Sequence, residues 1–361
     1  MESLSRMTNH VFAECTKRGH EQVIFVHYPQ AGLKGIIAVH NTVLGPALGG
    51  CRMRLYKSED QALEDVLRLS EGMTYKNSMA GLDLGGGKSC IIADPGLTAG
   101  RSEIFKKFGE CMQRLGGCYI TAEDMGTCVS DMEDMRTATK YVVGTLPEKG
   151  GMGDPSPWTA KGVFGAMQAA CERKFGTKDL KGKRVAVQGV GHVGRYLLGH
   201  LREAGAALSV CDVNDIAVRE AAKEFGADVV TPDGIYDVPC DIFAPCAVGQ
   251  TVNERTVPRL NCKIIAGAAN NQISDPSLYS LVQKRDMLYC PDFAINSGGV
   301  ICCAAELMDT PDRTGWLEKK VSEIYATTHR VLDEAERRKK FPEVVAIELA
   351  KERIESARKK K

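Results

Sequence analysis

The segment Lys183-Arg-Val-Ala-Val-Gln-Gly189-Val-Gly191-His-Val-Gly194 joins an apolar, β-branched run to a stretch in which Tyr196, Leu197, Leu198 and Leu201 recur at helical spacing. A second apolar run, Ala207-Leu-Ser-Val-Cys211, follows and closes on Asp212. A strand, a glycine turn, a helix and a second strand ending on an acid leave few folds open. The pattern predicts the first βαβ unit of a doubly wound parallel sheet. Its glycines allow a sharp turn and let a pyrophosphate sit against the helix N-terminus. Gly189, Gly191, Val193 and Gly194 are therefore candidate dinucleotide contacts. Asp212 would accept hydrogen bonds from the adenine-ribose hydroxyls and repel a 2′-phosphate, which favours NAD over NADP.

A chain of 361 residues has room for more than this one unit, and two domains are expected. The net charge of +1 argues against a nucleic-acid partner, and the basic run Arg358–Lys361 reads as a solvated helix end. No apolar stretch has the length of a membrane span, and Met1–Met7 lacks the apolar core of a signal peptide. A soluble, cytoplasmic protein is expected. The 14 cysteines include no C-x-x-C pair, so they read as reduced thiols filling core positions. The histidines are scattered, and no metal site is assigned.

Residues 1–150 read as an α/β substrate domain. Strands are expected at Gln22–His27, Leu33–His40 and Cys90–Ala93, with helices at about Asp60–Tyr75 and Arg101–Leu115. The glycine- and proline-rich stretch Lys149–Pro157 reads as a hinge. Residues 151–330 form the predicted Rossmann domain, with a cleft between the two domains. Its pattern continues with a helix at Ile216–Phe225 and short strands at Ala227–Val230, Ile242–Ala244, Ile264–Ala266 and Leu288–Tyr289. A long helix at about Trp316–Lys339 and another at Glu343–Ile354 are expected to return to the first domain, which residues of about 331–361 would complete.

Two lysines mark candidate chemistry in residues 1–150. Lys76 ends the expected Asp60–Tyr75 helix, and Lys88 follows the expected glycine turn Gly85-Gly86-Gly87. The Gly-Lys-Ser ending invites a phosphate-loop reading, but that motif requires glycine where Leu82 stands. Three consecutive glycines suggest that something approaches the backbone closely.

Six segments, in order, resemble the amino-acid dehydrogenases acting on glutamate, leucine, phenylalanine and valine. They are Gly45-Pro-Ala-Leu48-Gly49-Gly50-Cys-Arg52-Met, Gly-Met-Thr-Tyr-Lys76-Asn, Gly-Gly-Gly-Lys88, Thr121-Ala122-Glu-Asp124-Met-Gly, Gly267-Ala-Ala-Asn270-Asn271-Gln and Asn296-Ser-Gly-Gly-Val300. The resemblance spans nearly the whole chain and is strongest to the leucine enzymes, with the phenylalanine enzymes next. It implies reversible oxidative deamination, in which L-amino acid, NAD and water give 2-oxo acid, ammonia and NADH. By that analogy Lys76 holds the substrate carboxylate. Lys88 activates the water, a role that requires the neutral amine. Asp124 moves protons to and from the substrate nitrogen. Asn271 positions the substrate or the nicotinamide carboxamide, and a homo-oligomer is implied.

In glutamate-specific relatives a lysine stands where Leu48 stands here. Leu48, Gly49, Ala122, Val300 and Cys303 suggest an apolar side-chain pocket, which would penalise a buried carboxylate. Cys303 departs from the branched aliphatic residue of the leucine-type pattern. Branched aliphatic and aromatic substrates both stay open, because a few methylenes discriminate weakly. The rival of a different class is a non-catalytic dinucleotide sensor. Loss of Lys88 or Asp124 would favour it, and both are present.

Overall fold

The computed structural model describes residues 11–360. The leader reading of Met1–Met7 and the last residue of the basic tail lie outside them. Two compact units emerge. The first comprises the chain to Gly153 with Cys303–Asp309 and the residues from Ala350; the second comprises Asp154–Cys302 and Thr310–Leu349.

The first unit is built on strands β1 (Gln22–Tyr28), β2 (Leu33–Asn41), β3 (Ala47–Arg54), β4 (Gly85–Ile92) and β5 (Tyr119–Glu123). They form a sheet in the order β1-β2-β4-β3-β5. β2 is antiparallel to β1 and β4, and β3 is parallel to β4 and β5. Helix α1 (Glu59–Met79) covers one face. It starts where the Ser58 hydroxyl accepts the Gln61 N–H at 3.1 Å, with Glu59 and Asp60 favourably placed in the first turn. It buries Ala62, Leu63, Val66 and Leu67 against Ile36, Ala38 and Cys90 of the sheet. The other face packs on α2 (Arg101–Gln113) and α3 (Val129–Arg136), with Phe105, Phe108, Met132 and Met135 meeting Ile37, Val39, Cys51 and Ile91.

The glycines Gly85–Gly87 are not a turn. They lie inside β4, which extends from Gly85 through Lys88 to Ile92. A Cβ at Gly86 would stand 2.1 Å from the Thr74 backbone nitrogen, so the close approach is that of α1 itself. Two further strands, β3 and β5, are absent from the expected set.

The second unit contains α4 (Ser156–Phe175), β6 (Arg184–Gln188), α5 (His192–Glu203), β7 (Ala207–Cys211), α6 (Asp215–Phe225), β8 (Asp228–Val229), β9 (Ile242–Pro245), β10 (Ile264–Ile265), α7 (Tyr279–Lys284) and β11 (Leu288–Tyr289). Its strands form one sheet in the order β11-β10-β9-β6-β7-β8, parallel throughout. This is the doubly wound arrangement that the glycine fingerprint predicts. The short helices α8 (Asp292–Ile295) and α9 (Gly298–Ala305) follow.

Helix α10 (Arg313–Arg338) belongs wholly to this unit. It runs along α4, where a Cβ at Gly162 would come within 2.5 Å of Ile324 Cδ1. Helix α11 (Pro342–Arg358) begins here too, because Phe341 and Val344 pack into the second unit's core with Tyr289 and Val282. Only the residues from Ala350 join the first unit. There the Ser78 hydroxyl donates to the Ala350 carbonyl at 2.9 Å and Arg353 donates to the Leu82 carbonyl at 2.7 Å. The expected return of about 331–361 is thus narrower at its start. Among the described residues no helix is long and apolar enough to cross a membrane.

Candidate active site

Strand alternation sorts the first unit's sheet into two chemically different faces. Ala47, Cys51 and Met53 of β3 enter the core against α2 and α3. Leu48, Gly50 and Arg52 therefore occupy the α1 face. Their neighbours in register on β5, Ile120 and Ala122, share it, as does Lys88 opposite Ala38 of β2. Asp124 follows directly on β5. A Cβ at Gly50 would come within 2.8 Å of Asp124 Cβ, so a side chain there would displace the acid.

Lys88 and Asp124 meet on this face as an ion pair, Nζ to Oδ2, with the lysine side chain only 8% exposed. The carboxylate also faces Arg52, whose Nε lies 3.4 Å from Asp124 Oδ2. Burial would raise the proton affinity of Asp124, but Lys88 and Arg52 outweigh it and hold the carboxyl down to about 2. Asp124 is thus an ionised acceptor at neutral pH. Its backbone is fixed by Thr127, whose hydroxyl accepts the Asp124 N–H at 2.9 Å and lies 3.0 Å from the Cys51 carbonyl. The turn continues through Gly126 at φ +80°, beside the Met53 carbonyl.

Lys76 lies in the last turn of α1. Beside it, Asn77 Nδ2 donates to the carbonyls of Gly85 at 2.6 Å and Leu48 at 3.2 Å, pinning this end of the helix onto β3 and β4. Gly49 is also held closely: its carbonyl accepts the Tyr119 hydroxyl at 2.6 Å. Cys303 lies on α9, and Lys76, Glu123 and Glu306 are all within electrostatic reach of its thiol. Burial, aided by Glu306 and Glu123, pushes that thiol up to about 12, so it is an uncharged, inert side chain. Glu306 accepts the backbone N–H groups of Gly144 at 3.1 Å and Met152 at 3.0 Å, and so ties the end of the first unit's chain to Cys303.

The second unit holds the remaining candidates. Gly189 adopts φ +100°, and a Cβ on it would collide with Ala247 at 2.7 Å. Gly191 caps α5 with open space where its side chain would be. Gly194 is buried and Val193 partly buried in the first turn. Asp212 Oδ2 accepts the Val190 N–H at 2.8 Å and Oδ1 accepts the Asn214 N–H at 2.9 Å. Each oxygen keeps a further lone pair for a ribose hydroxyl. A helix end with no side-chain cap, facing open space over a glycine loop, fits a pyrophosphate.

Asn271 is exposed at φ +52°, and its carbonyl accepts the Gln250 N–H at 2.7 Å. Its loop rests on buried polar groups. Gln272 Nε2 donates to the Gly267 carbonyl at 2.7 Å, Asp292 accepts the Gln272 N–H at 2.9 Å, and Asn296 Nδ2 donates to Asn270 Oδ1 at 2.8 Å. Val300 lies partly buried on α9.

The structure therefore brings Lys88 and Asp124 into contact, places Leu48 and Ala122 on their face, and sets Lys76 near Cys303. Three contributors carried no assigned role in the sequence: Arg52, Glu306 and Asp292. Arg52 stands inside one of the six segments, but its alternation with Leu48 and Gly50 has meaning only once β3 is known to be a strand. The backbone partners of the two acids, Gly144 and Met152 for Glu306 and Gln272 for Asp292, come from other segments and left no local signal.

Residues 20–141 match the Glu/Leu/Phe/Val dehydrogenase dimerisation domain, and residues 150–221 and 209–361 match the Glutamate/Leucine/Phenylalanine/Valine dehydrogenase domain. The chain is 49% identical to the leucine dehydrogenase of Geobacillus stearothermophilus over 94% of its length and 92% of that protein. It is 40% identical to the valine dehydrogenase of Streptomyces virginiae over 97% of its length and 98% of that protein. The crystal structure of L-tryptophan dehydrogenase from Nostoc punctiforme superposes with a TM-score of 0.84 at 39% identity, covering 96% of this chain and 99% of that one. The chain belongs to the Glu/Leu/Phe/Val dehydrogenase family. It is an amino-acid dehydrogenase acting on a CH–NH2 group, and the family implies a nicotinamide dinucleotide cofactor.

Proposed function

We propose that this enzyme catalyses the reversible NAD-dependent oxidative deamination of branched aliphatic L-amino acids: leucine, valine and isoleucine. The observation that carries this reading is the Lys88–Asp124 pair on a sheet face where the position that is lysine in glutamate-specific relatives is the buried Leu48. The 49% identity to a leucine dehydrogenase supports it. Aromatic substrates are the second reading, favoured by Cys303 in place of a branched side chain and by the likeness to L-tryptophan dehydrogenase. The acid Asp212 at the end of β7 supports NAD over NADP. A cytoplasmic homo-oligomer is the accompanying reading of location and assembly.

In this mechanism Lys76 pairs with the substrate carboxylate and fixes the amino acid. Asp124, already ionised, takes a proton from the substrate ammonium and leaves the neutral amine. The bound nicotinamide supplies the acceptor for the Cα hydride. Lys88 gives up its ammonium proton to solvent once Asp124 is protonated, then takes a proton from the water that attacks the resulting iminium carbon, and its ammonium form stabilises the developing oxyanion. Asp124 returns its proton to the nitrogen and then takes the hydroxyl proton of the carbinolamine as ammonia leaves and the carbonyl forms. The apolar groups Leu48 and Ala122 of the first unit receive the side chain.

Incubation of the purified protein with L-leucine and NAD at alkaline pH tests the reaction itself. Equal amounts of NADH, ammonia and 4-methyl-2-oxopentanoate are expected. NADH binding without turnover on any amino acid would instead establish the sensor reading.

A further inference from the structure

The acid–base pair has a third member that the proposed reaction does not use. Arg52 projects from β3 between two carboxylates, with Nε 3.4 Å from Asp124 and Nη1 2.8 Å from Asp65 of α1. The Arg52 and Asp65 side chains are each only 13% exposed. Asp65 is itself fixed: the Tyr56 hydroxyl donates to Oδ2 at 2.9 Å and Arg68 donates to Oδ1 at 3.1 Å. A guanidinium is planar, permanently charged and presents its donors in a rigid fork. Held by Asp65 at one edge, it can offer Asp124 a positive charge at one fixed place.

We infer that Arg52 is a positioning residue for the acid–base pair: anchored by Asp65, it fixes the Asp124 carboxylate and sets that carboxylate's affinity for the travelling proton. The inference rests on the proposed deamination. In that reaction Lys88 alternates between ammonium and amine, so its charge is missing when water is activated. Arg52 cannot lose its proton. It therefore supplies the charge that keeps Asp124 a defined proton carrier throughout the cycle, independently of Lys88. Without Arg52, Asp124 would bind its proton more tightly whenever Lys88 is neutral. The acid would then be slow to return that proton, or would start the cycle already protonated.

Two variants and two readouts test this. In Arg52→Gln, kcat for L-leucine oxidation should fall about 10- to 100-fold, as for loss of a preorganised electrostatic group. The acid limb of the pH profile of kcat/KM should move up by about one pH unit or more, as for loss of a neighbouring opposite charge. In Arg52→Lys, a single ammonium cannot span both acids, so a smaller kcat loss and a smaller movement of the acid limb are expected. This variant carries the test if Arg52→Gln fails to fold. The second readout needs no activity: the carboxyl ¹³C resonance of Asp124, assigned by its loss in Asp124→Asn. It should titrate at higher pH in the Arg52 variants than in the wild type. An acid limb and an Asp124 titration unmoved in a folded Arg52 variant would overturn the inference and leave Arg52 a structural residue. If the wild type oxidises no amino acid, the proposed function fails, while the Asp124 titration still decides the role of Arg52.

Discussion

Replacing Asp124 by Asn keeps the side-chain shape and removes the charge on which Lys88 and Arg52 converge. A carboxyl held at about 2 instead of 3.8 contributes about 2 kcal/mol to stability above pH 4, because the folded state favours the ionised form. Asp124→Asn should forfeit that amount, read as a lower urea midpoint at pH 7 with an unchanged m-value. The sign can be checked by titration. The wild-type advantage is present above 3.8 and is lost as the pH falls toward 2, so the two midpoints should converge in acid. Catalysis should suffer far more than folding. An amide cannot take the substrate proton, and kcat should drop about 100-fold or more. NADH binding, followed by fluorescence, should be unchanged, because the glycine loop and Asp212 belong to the other unit. A variant with the lower urea midpoint but wild-type kcat would refute the acid–base role and leave Asp124 a purely structural anion.

Three further outcomes follow from the same geometry. Leu48→Lys places an ammonium beside apolar neighbours, so activity on L-leucine should fall and the kcat/KM ratio of glutamate to leucine should rise; a ratio that does not move would place Leu48 away from the substrate side chain. Asp212→Ala should narrow the preference for NAD over NADP, measured as the ratio of kcat/KM for the two cofactors, and a wild type that favours NADP would contradict the ribose role. Burial, reinforced by the neighbouring His40, lowers His20 to about 4, and burial lowers His40 as well. The unfolded chain therefore binds more protons than the folded one below 6.5, so stability should fall as the pH drops from 7 to 5, read as a lower urea midpoint, and His20→Gln should flatten that dependence.

The legibility of this fold differs between its halves for physical reasons. In the second unit β6 and β7 are short apolar runs joined by α5, whose buried Leu197, Leu198 and Leu201 form an apolar stripe. The glycines of the turn after β6 are demanded by local backbone geometry at Gly189, so the βαβ unit is written in contiguous residues. In the first unit glycine acts through tertiary contact. Gly86 is small because Thr74 of α1 lies against it, and Gly50 because Asp124 does. Such glycines lower strand propensity, which is why Gly85–Gly87 read as a turn and why β3 was not expected. The C-terminal helices were readable as helices, but their division between the units depends on Phe341 and Arg353 finding partners far away in sequence. The same holds for the site. Lys76, Lys88 and Asp124 stood out through their motifs, whereas the Asp65–Arg52–Asp124 chain joins β3, α1 and the end of β5 and has no sequence signature of its own.

Specificity constants for NAD reduction across L-leucine, L-valine, L-isoleucine, L-phenylalanine, L-tryptophan and L-glutamate test the central claim most directly. The three branched aliphatic substrates should give the highest kcat/KM, the aromatic pair lower values and glutamate the lowest. Phenylalanine or tryptophan at the head of the series would contradict the branched-chain assignment, and glutamate at its head would contradict the apolar pocket around Leu48.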